Sequence, residues 1–115
     1  MKEYMYLFRG GDGRELDLSP EQMQEHMQAW GVWMQGLGKT GNFVTGLPLQ
    51  SEGKVVENHG EVITDGPFAE GKEIVGGYLI VKAKNLDHAA ELSKECPIFL
   101  RGGTVEVREI MPMDM

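Results

Sequence analysis

Between Asp65 and Glu73 the chain gathers three carboxylates, one ammonium group and one aromatic ring within nine residues. The stretch reads Thr64-Asp65-Gly66-Pro67-Phe68-Ala69-Glu70-Gly71-Lys72-Glu73 and leads to Gly76-Gly77-Tyr78. Asp65 at the lip of a closed pocket would serve as a general acid or base if burial kept water from it. The competing reading is turn chemistry, in which Asp-Gly-Pro bends the chain and backbone N–H groups hold the carboxylate ionised. Glu73 is the second proton-transfer candidate, because it lies nearest the following strand. Glu70 and Lys72 could bind a polar ligand or form a solvated charged loop. Phe68 would line the pocket or anchor the loop to the core, and Tyr78, where the next strand begins, joins the ligand contacts.

Further candidates sit between Ser19 and Gly41. His26 is placed to shuttle a proton, against a solvated flank position as the plainer account. Trp30 and Trp33 could line a cavity for flat ligands, although Trp30 falls centrally in an apolar stripe and so reads as core. Glu57, His59 and Glu61 alternate like metal ligands, but the turn between them breaks the pattern, and no metal site is expected. Cys96 ends a helix, where the negative end of the dipole raises a thiol pKa, so it reads as a small buried residue rather than a nucleophile. His88 points away from the second helix's buried stripe. No phosphate-binding loop, dinucleotide fingerprint or nucleophile elbow occurs, and no cofactor is expected.

The elements that must carry these groups follow from patterning. Tyr4–Phe8 is an apolar, aromatic-rich run before a glycine cluster, and predicts a strand buried on both faces. Ser19-Pro20-Glu21-Gln22 starts a helix, with Ser19 capping, Pro20 in the first turn and Gln22 at the capping-box position. Met23, Met27, Trp30, Met34 and Leu37 are spaced 4, 3, 4 and 3 and predict its buried stripe. Gly31 and Gly38 flank that stripe and suggest a close approach to a neighbour. Residues 42–49 read as a strand with Pro48 near its end. Lys54–Glu57 and Glu61–Thr64 flank a turn and predict a hairpin. The 64–76 stretch is too polar and too rich in Gly and Pro for helix or strand. Gly77–Ala83 is a strand. Asn85 caps a second helix with Leu86, Ala89, Ala90, Ser93 and Cys96 inward, ended by Pro97. Thr104–Ile110 is the last strand, with Glu106 and Arg108 on one face.

Without the hairpin the order is β-α-β-β-α-β, a ferredoxin-like α+β arrangement with an antiparallel sheet. Two helices cover one face of such a sheet, and the apolar strands imply that a partner covers the other. A homodimer with facing sheets and an enclosed cavity is the expectation. The length of 115 residues fits one domain over 1–115. A net charge of -7 without a Lys/Arg cluster disfavours direct nucleic-acid binding. No apolar run nears the roughly 20 residues that span a bilayer. The start lacks the marks of a targeting segment, and the lone cysteine suits a reducing cytoplasm.

Asp65-Gly66-Pro67-Phe68, with Ala69–Glu73 and Gly76-Gly77-Tyr78, resembles the YCII-related proteins that carry a DGPF motif. Tyr4–Phe8, Gly46-Leu47-Pro48-Leu49, Asn85-Leu86-Asp87, Cys96-Pro97 and Gly103–Arg108 extend the likeness over nearly the whole chain. The resemblance implies a ferredoxin-like fold dimerised into an α/β barrel that binds a small molecule. It implies either isomerase-like or dehalogenating chemistry on small ring compounds, or a non-catalytic accessory role beside sigma factors. In members lacking the motif it implies a helix-1 histidine paired with aspartate. That position falls near Trp30 here, and His26 lies one turn earlier.

Overall fold

The computed structural model describes residues 1–10, 18–50, 52–66 and 74–113. The elements run β1 (Lys2–Arg9), α1 (Pro20–Lys39), β2 (Phe43–Pro48), β3 (Gly53–Glu57), β4 (Val62–Gly66), β5 (Val75–Ala83), α2 (Leu86–Ser93) and β6 (Thr104–Glu109). Four strands form one antiparallel sheet in the order β2-β5-β1-β6, and β3 and β4 pair only with each other. This is the ferredoxin-like α+β topology, with the hairpin inserted between the second and third sheet strands.

Strand alternation sorts the side chains of the sheet. Tyr4, Tyr6 and Phe8 of β1 and Leu79, Val81 and Ala83 of β5 face the helices and are buried. Met5, Leu7, Tyr78 and Ile80 point to the opposite face and are only partly buried. The aromatic run therefore fills the core from one side only, and the expectation of burial on both faces holds half-way within a single chain.

The start of α1 follows its sequence signature. The Ser19 hydroxyl accepts the Gln22 backbone N–H at 3.1 Å, and Gln22 Oε1 accepts that of Ser19 at 2.9 Å. The buried stripe, however, is His26, Trp33 and Leu37 with Trp30 and Met34 partly covered, and Met27 is 64% exposed. The inward face is turned about half a residue step (~50°) from the methionine-led stripe, at about 100° per residue. The aromatic rings carry far more apolar area than the positions they displace, and Tyr6 and Phe8 on the sheet offer them ring partners.

The glycines of α1 do not mediate a close approach: a Cβ at Gly31 or Gly38 would meet nothing within 4 Å. Close approach occurs between strands instead. A Cβ at Gly46 would lie 2.7 Å from the Tyr78 carbonyl oxygen, and one at Gly77 would lie 3.1 Å from that of Leu47. Gly77 thus has a structural use, letting β2 and β5 meet where Leu49 N–H also donates to the Gly76 carbonyl at 2.8 Å.

Thr64, Asp65 and Gly66 belong to β4, so the strand runs further into the polar stretch than composition suggests. Hairpin pairing decides this, because each of the three faces a β3 residue across the ladder. Helix α2 stops at Ser93, earlier than Pro97 implies, and a short tight turn over Pro97–Arg101 follows. Its inward residues are Ala89 and Ser93, whereas Leu86 is 50% exposed and Ala90 is also exposed. Eight residues give too little length for the whole expected stripe to reach the sheet. Buried Asn42 ties the end of α1 to β5, its Nδ2–H donating to the Lys82 carbonyl at 2.7 Å.

Candidate functional site

The underside of α1 holds the densest collection of chemically useful rings. His26 and Trp30 lie one helical turn apart, so both project onto the same face. The Trp30 indole N–H donates to His26 Nε2 at 3.1 Å. A neutral His26 in this arrangement carries its hydrogen on Nδ1, an assignment that rests on that bond. His26 is 5% exposed. The expectation of a solvated flank is thereby corrected: the turned helix face brings the imidazole inward.

Phe8 supports this pair from below, its ring centroid 5.0 Å from that of Trp30 and edge-on to it. Trp30 and Trp33 meet edge to face at 5.8 Å. Trp33 is further fixed by its own N–H, which donates to the Leu92 carbonyl at 3.2 Å. That carbonyl belongs to the last turn of α2, where helix geometry leaves it without an internal donor. Tyr6 does similar work, its hydroxyl donating to the Ala89 carbonyl. Burial pushes the Tyr6 hydroxyl pKa well up, and nearby Cys96 adds to the effect. Phe8 and Tyr6 escaped the site reading of the sequence. The alternation Tyr4-Met5-Tyr6-Leu7-Phe8 was the signal that could have placed them beneath the helix.

Asp65 stands elsewhere. It sits on the hairpin with its side chain 85% exposed, and its carboxylate accepts from Lys54 Nζ at 2.6 Å. The general-acid or general-base role expected of it requires exclusion of water, and nothing among the described residues excludes it. Tyr78 lies on the open face of the sheet, partly buried, opposite Leu47 and Leu7. Phe68, Glu70, Lys72 and Glu73 lie outside the described residues. Of the sequence candidates, the structure therefore brings together His26, Trp30 and Trp33, and separates them from Asp65 by placing it on the hairpin.

Cys96 is buried, and burial pushes its thiol up to about 12, while a backbone hydrogen bond from Ile98 opposes the shift. The expected inertness thus has a different cause from the helix dipole: α2 has already ended three residues earlier. His88 is partly buried rather than free in solvent, and its Nδ1 accepts the Lys84 backbone N–H at 3.0 Å. Among the described residues no His, Cys, Asp and Glu cluster fit to hold a metal ion occurs.

Two grooves are open on the surface. One of about 500 Å3 lies between α1 and the Lys94–Leu100 segment, with Val32, Trp33, Cys96 and Phe99 in its walls. The other, about 460 Å3, lies at the Lys2 end of the sheet between Lys82 and Glu109. Neither is lined by His26, Trp30 or Asp65. The first is open to solvent along its length, and Trp33 contributes to its wall.

A family model, the YCII-related domain, matches residues 3–114. The chain belongs to the YCII-related family. No curated protein matches it. Among solved structures it is similar to 5-chloro-2-hydroxyhydroquinone dehydrochlorinase from Burkholderia phenoliruptrix AC1100, determined in complex with 2,5-dihydroxybenzoquinone. That likeness has a TM-score of 0.55 at 14% identity and covers 95% of this chain and 93% of that one. At such identity the shared property is the fold. The ferredoxin-like topology of this YCII-related chain is thus found in a second, distantly related sequence. No helix among the described residues is long and apolar enough to cross a membrane.

Proposed function

We propose that this YCII-related chain is a small-molecule-binding protein of the DGPF-carrying subgroup. It works as a homodimer with facing sheets and handles a proton on a compact cyclic ligand. Glu73 is the carboxylate that takes or returns the proton, and His26 is a positioning group. Trp30 positions it by occupying Nε2, which leaves Nδ1 as the atom that carries hydrogen. Asp65, paired with Lys54 on the exposed hairpin, keeps a structural role. Phe68, Trp30, Trp33, Tyr78, Glu70 and Lys72 make up the ligand contacts.

The observation that carries this reading is His26 itself. A histidine with only 5% of its surface exposed, fixed by an indole N–H and set edge-on to the Trp30 ring, is a group held in one orientation. A fixed imidazole orients the groups around it, and orientation is what proton transfer to a bound ligand needs. Family membership and a neighbour solved in complex with a dihydroxybenzoquinone favour a small ring compound as the ligand. The sigma-factor role that the resemblance implies draws no support from these comparisons.

A thermal-shift series with 2,5-dihydroxybenzoquinone and related hydroquinones tests it. A ligand that binds only the native form must raise Tm by mass action. The expected result is a concentration-dependent rise that His26→Gln diminishes while its own ligand-free Tm stays near that of the parent. No shift at millimolar ligand would remove the binding claim. An equal shift and equal turnover in His26→Gln would remove the role of the imidazole.

A further inference from the structure

Among the described residues, Arg101 Nε is the one side-chain polar atom that is buried without a bonding partner. Buried polar groups are bonded as a rule, and an exception calls for a physical reason. The tight turn over Pro97–Arg101 explains how the atom comes to be inside. Its residues wind at three per turn, so side chains three apart eclipse. Arg101 therefore follows Ile98, which is fully buried. The arginine stem is drawn inward along the same line, and the residue as a whole is partly buried.

Two ordinary uses of such a residue do not apply. A basic side chain at the end of a helical turn can bond its last carbonyls. Here the Ile98 carbonyl accepts the Gly103 N–H at 3.0 Å and the Phe99 carbonyl accepts that of Gly102 at 3.3 Å, so the turn's own amides take that role. An arginine can also neutralise a carboxylate. Arg9 and Arg108 both do so, meeting at Glu106. Arg101 makes no ion pair among the described residues, although 18 acidic residues outnumber 11 basic ones in the chain. Nor is the turn free to carry the arginine toward a partner. A Cβ at Gly103 would lie 2.8 Å from the Gly10 carbonyl oxygen and 2.9 Å from that of Arg9, so the segment is pinned against the end of β1.

A partly buried cation without a counter-charge is costly to hold. Held on a pinned turn, it is also a charge placed in advance for an incoming group. We propose that Arg101 anchors the carboxylate of a small acid, gripped by the outer nitrogens of the guanidinium. That group presents its N–H donors as a planar fork matched to the two oxygens of a carboxylate. The positive charge is delocalised over all three nitrogens, so a carboxylate on the outer pair supplies the missing counter-charge without touching Nε. The anchor stands apart from the ring-ligand reading above and does not depend on it.

The test is a set of thermal melts in sodium benzoate, sodium phosphate and sodium chloride at equal ionic strength, for the parent, Arg101→Met and Arg101→Lys. Benzoate should raise the parent's Tm saturably and by a few degrees more than chloride does. Arg101→Met keeps an apolar stem and removes the unpaired donor, so its ligand-free Tm should equal or exceed the parent's while the benzoate response is lost. Arg101→Lys keeps the charge without the fork and should bind about tenfold more weakly, the loss of one charge-assisted bond. A parent that responds to benzoate no more than to chloride would overturn the anchor, as would an Arg101→Met response equal to the parent's. A larger response to phosphate would overturn the assignment to carboxylates. An Arg101→Met protein that melts far below the parent would show a structural arginine instead. The parent alone gives a further reading: the Arg101 Nε–H resonance should move as benzoate is added and stay in place with chloride, and a resonance that ignores benzoate would refute the contact.

Discussion

The underside of α1 and the β3–β4 hairpin hold comparable apolar side chains in opposite circumstances. Beneath α1, Trp33, Phe8 and Tyr6 contact one another, and the polar atoms of Trp33 and Tyr6 reach carbonyls of α2. On the hairpin, Val56 and Ile63 face each other across the ladder and stay 61% and 55% exposed. Hydrophobicity alone does not separate the two regions. What separates them is whether the same chain supplies a second surface, and the effect of a substitution should follow that distinction.

The sharpest break comes from Trp33→Ala. Loss of the ring leaves a cavity in the core and an orphaned Leu92 carbonyl, and should cost about 3–5 kcal/mol, enough to unfold a marginal domain. Thermal melting checks it; a change in Tm of under a few degrees would show that the helix underside is not the centre of stability.

Alkaline pH attacks the same region without mutation. The Cys96 thiol rises from 9.0 to about 12 on folding, and the Tyr6 hydroxyl also rises from 10.0. Below about pH 9 both groups are protonated whether folded or not, and their contribution is fully present. Above it the unfolded chain loses these protons first, so stability falls by about 1 kcal/mol per pH unit for each group that is titrating. Denaturant midpoints between pH 8 and 11 should decline, and Cys96→Ala should delay the onset by about one unit. A flat profile would contradict the burial of both groups.

Glycines sharpen the contrast further. Gly46→Ala forces a Cβ against the Tyr78 backbone, which cannot step aside, and should destabilise by about 1–3 kcal/mol. Gly31→Ala adds a methyl in open space within a helix and should stabilise by about 0.5–1 kcal/mol. Matching signs for the two would mean that the strand contact is looser than described. The smallest effect belongs to the hairpin. Lys54→Met removes an ion pair with 65% and 85% of the two side chains exposed, and the subunit's stability should move by less than about 0.5 kcal/mol.

The sequence carried the topology well because its signals were local. The Ser19–Gln22 capping box, the alternation of the last strand and the apolar run after Gly77 each act through near neighbours in the chain. It carried the α1 face poorly. A stripe drawn from Met23, Met27 and Met34 is a sound helical pattern, yet which side turns inward depends on Tyr6 and Phe8, which belong to another element. The same limit explains Gly31 and Gly38, whose lack of neighbours is a tertiary fact, and Gly46, whose tight contact lies across the sheet. Composition misread Thr64–Gly66 because a ladder partner outweighs polar character. The site candidates separated for a related reason: sequence proximity put Asp65 among the loop groups, and strand pairing carried it onto the hairpin.

Cys96 has one practical consequence. A sole thiol that stays shut away and protonated is silent toward alkylating reagents until the polypeptide opens. Its labelling rate under native conditions would thus clock spontaneous opening events around the second helix, with no tag or probe to disturb them.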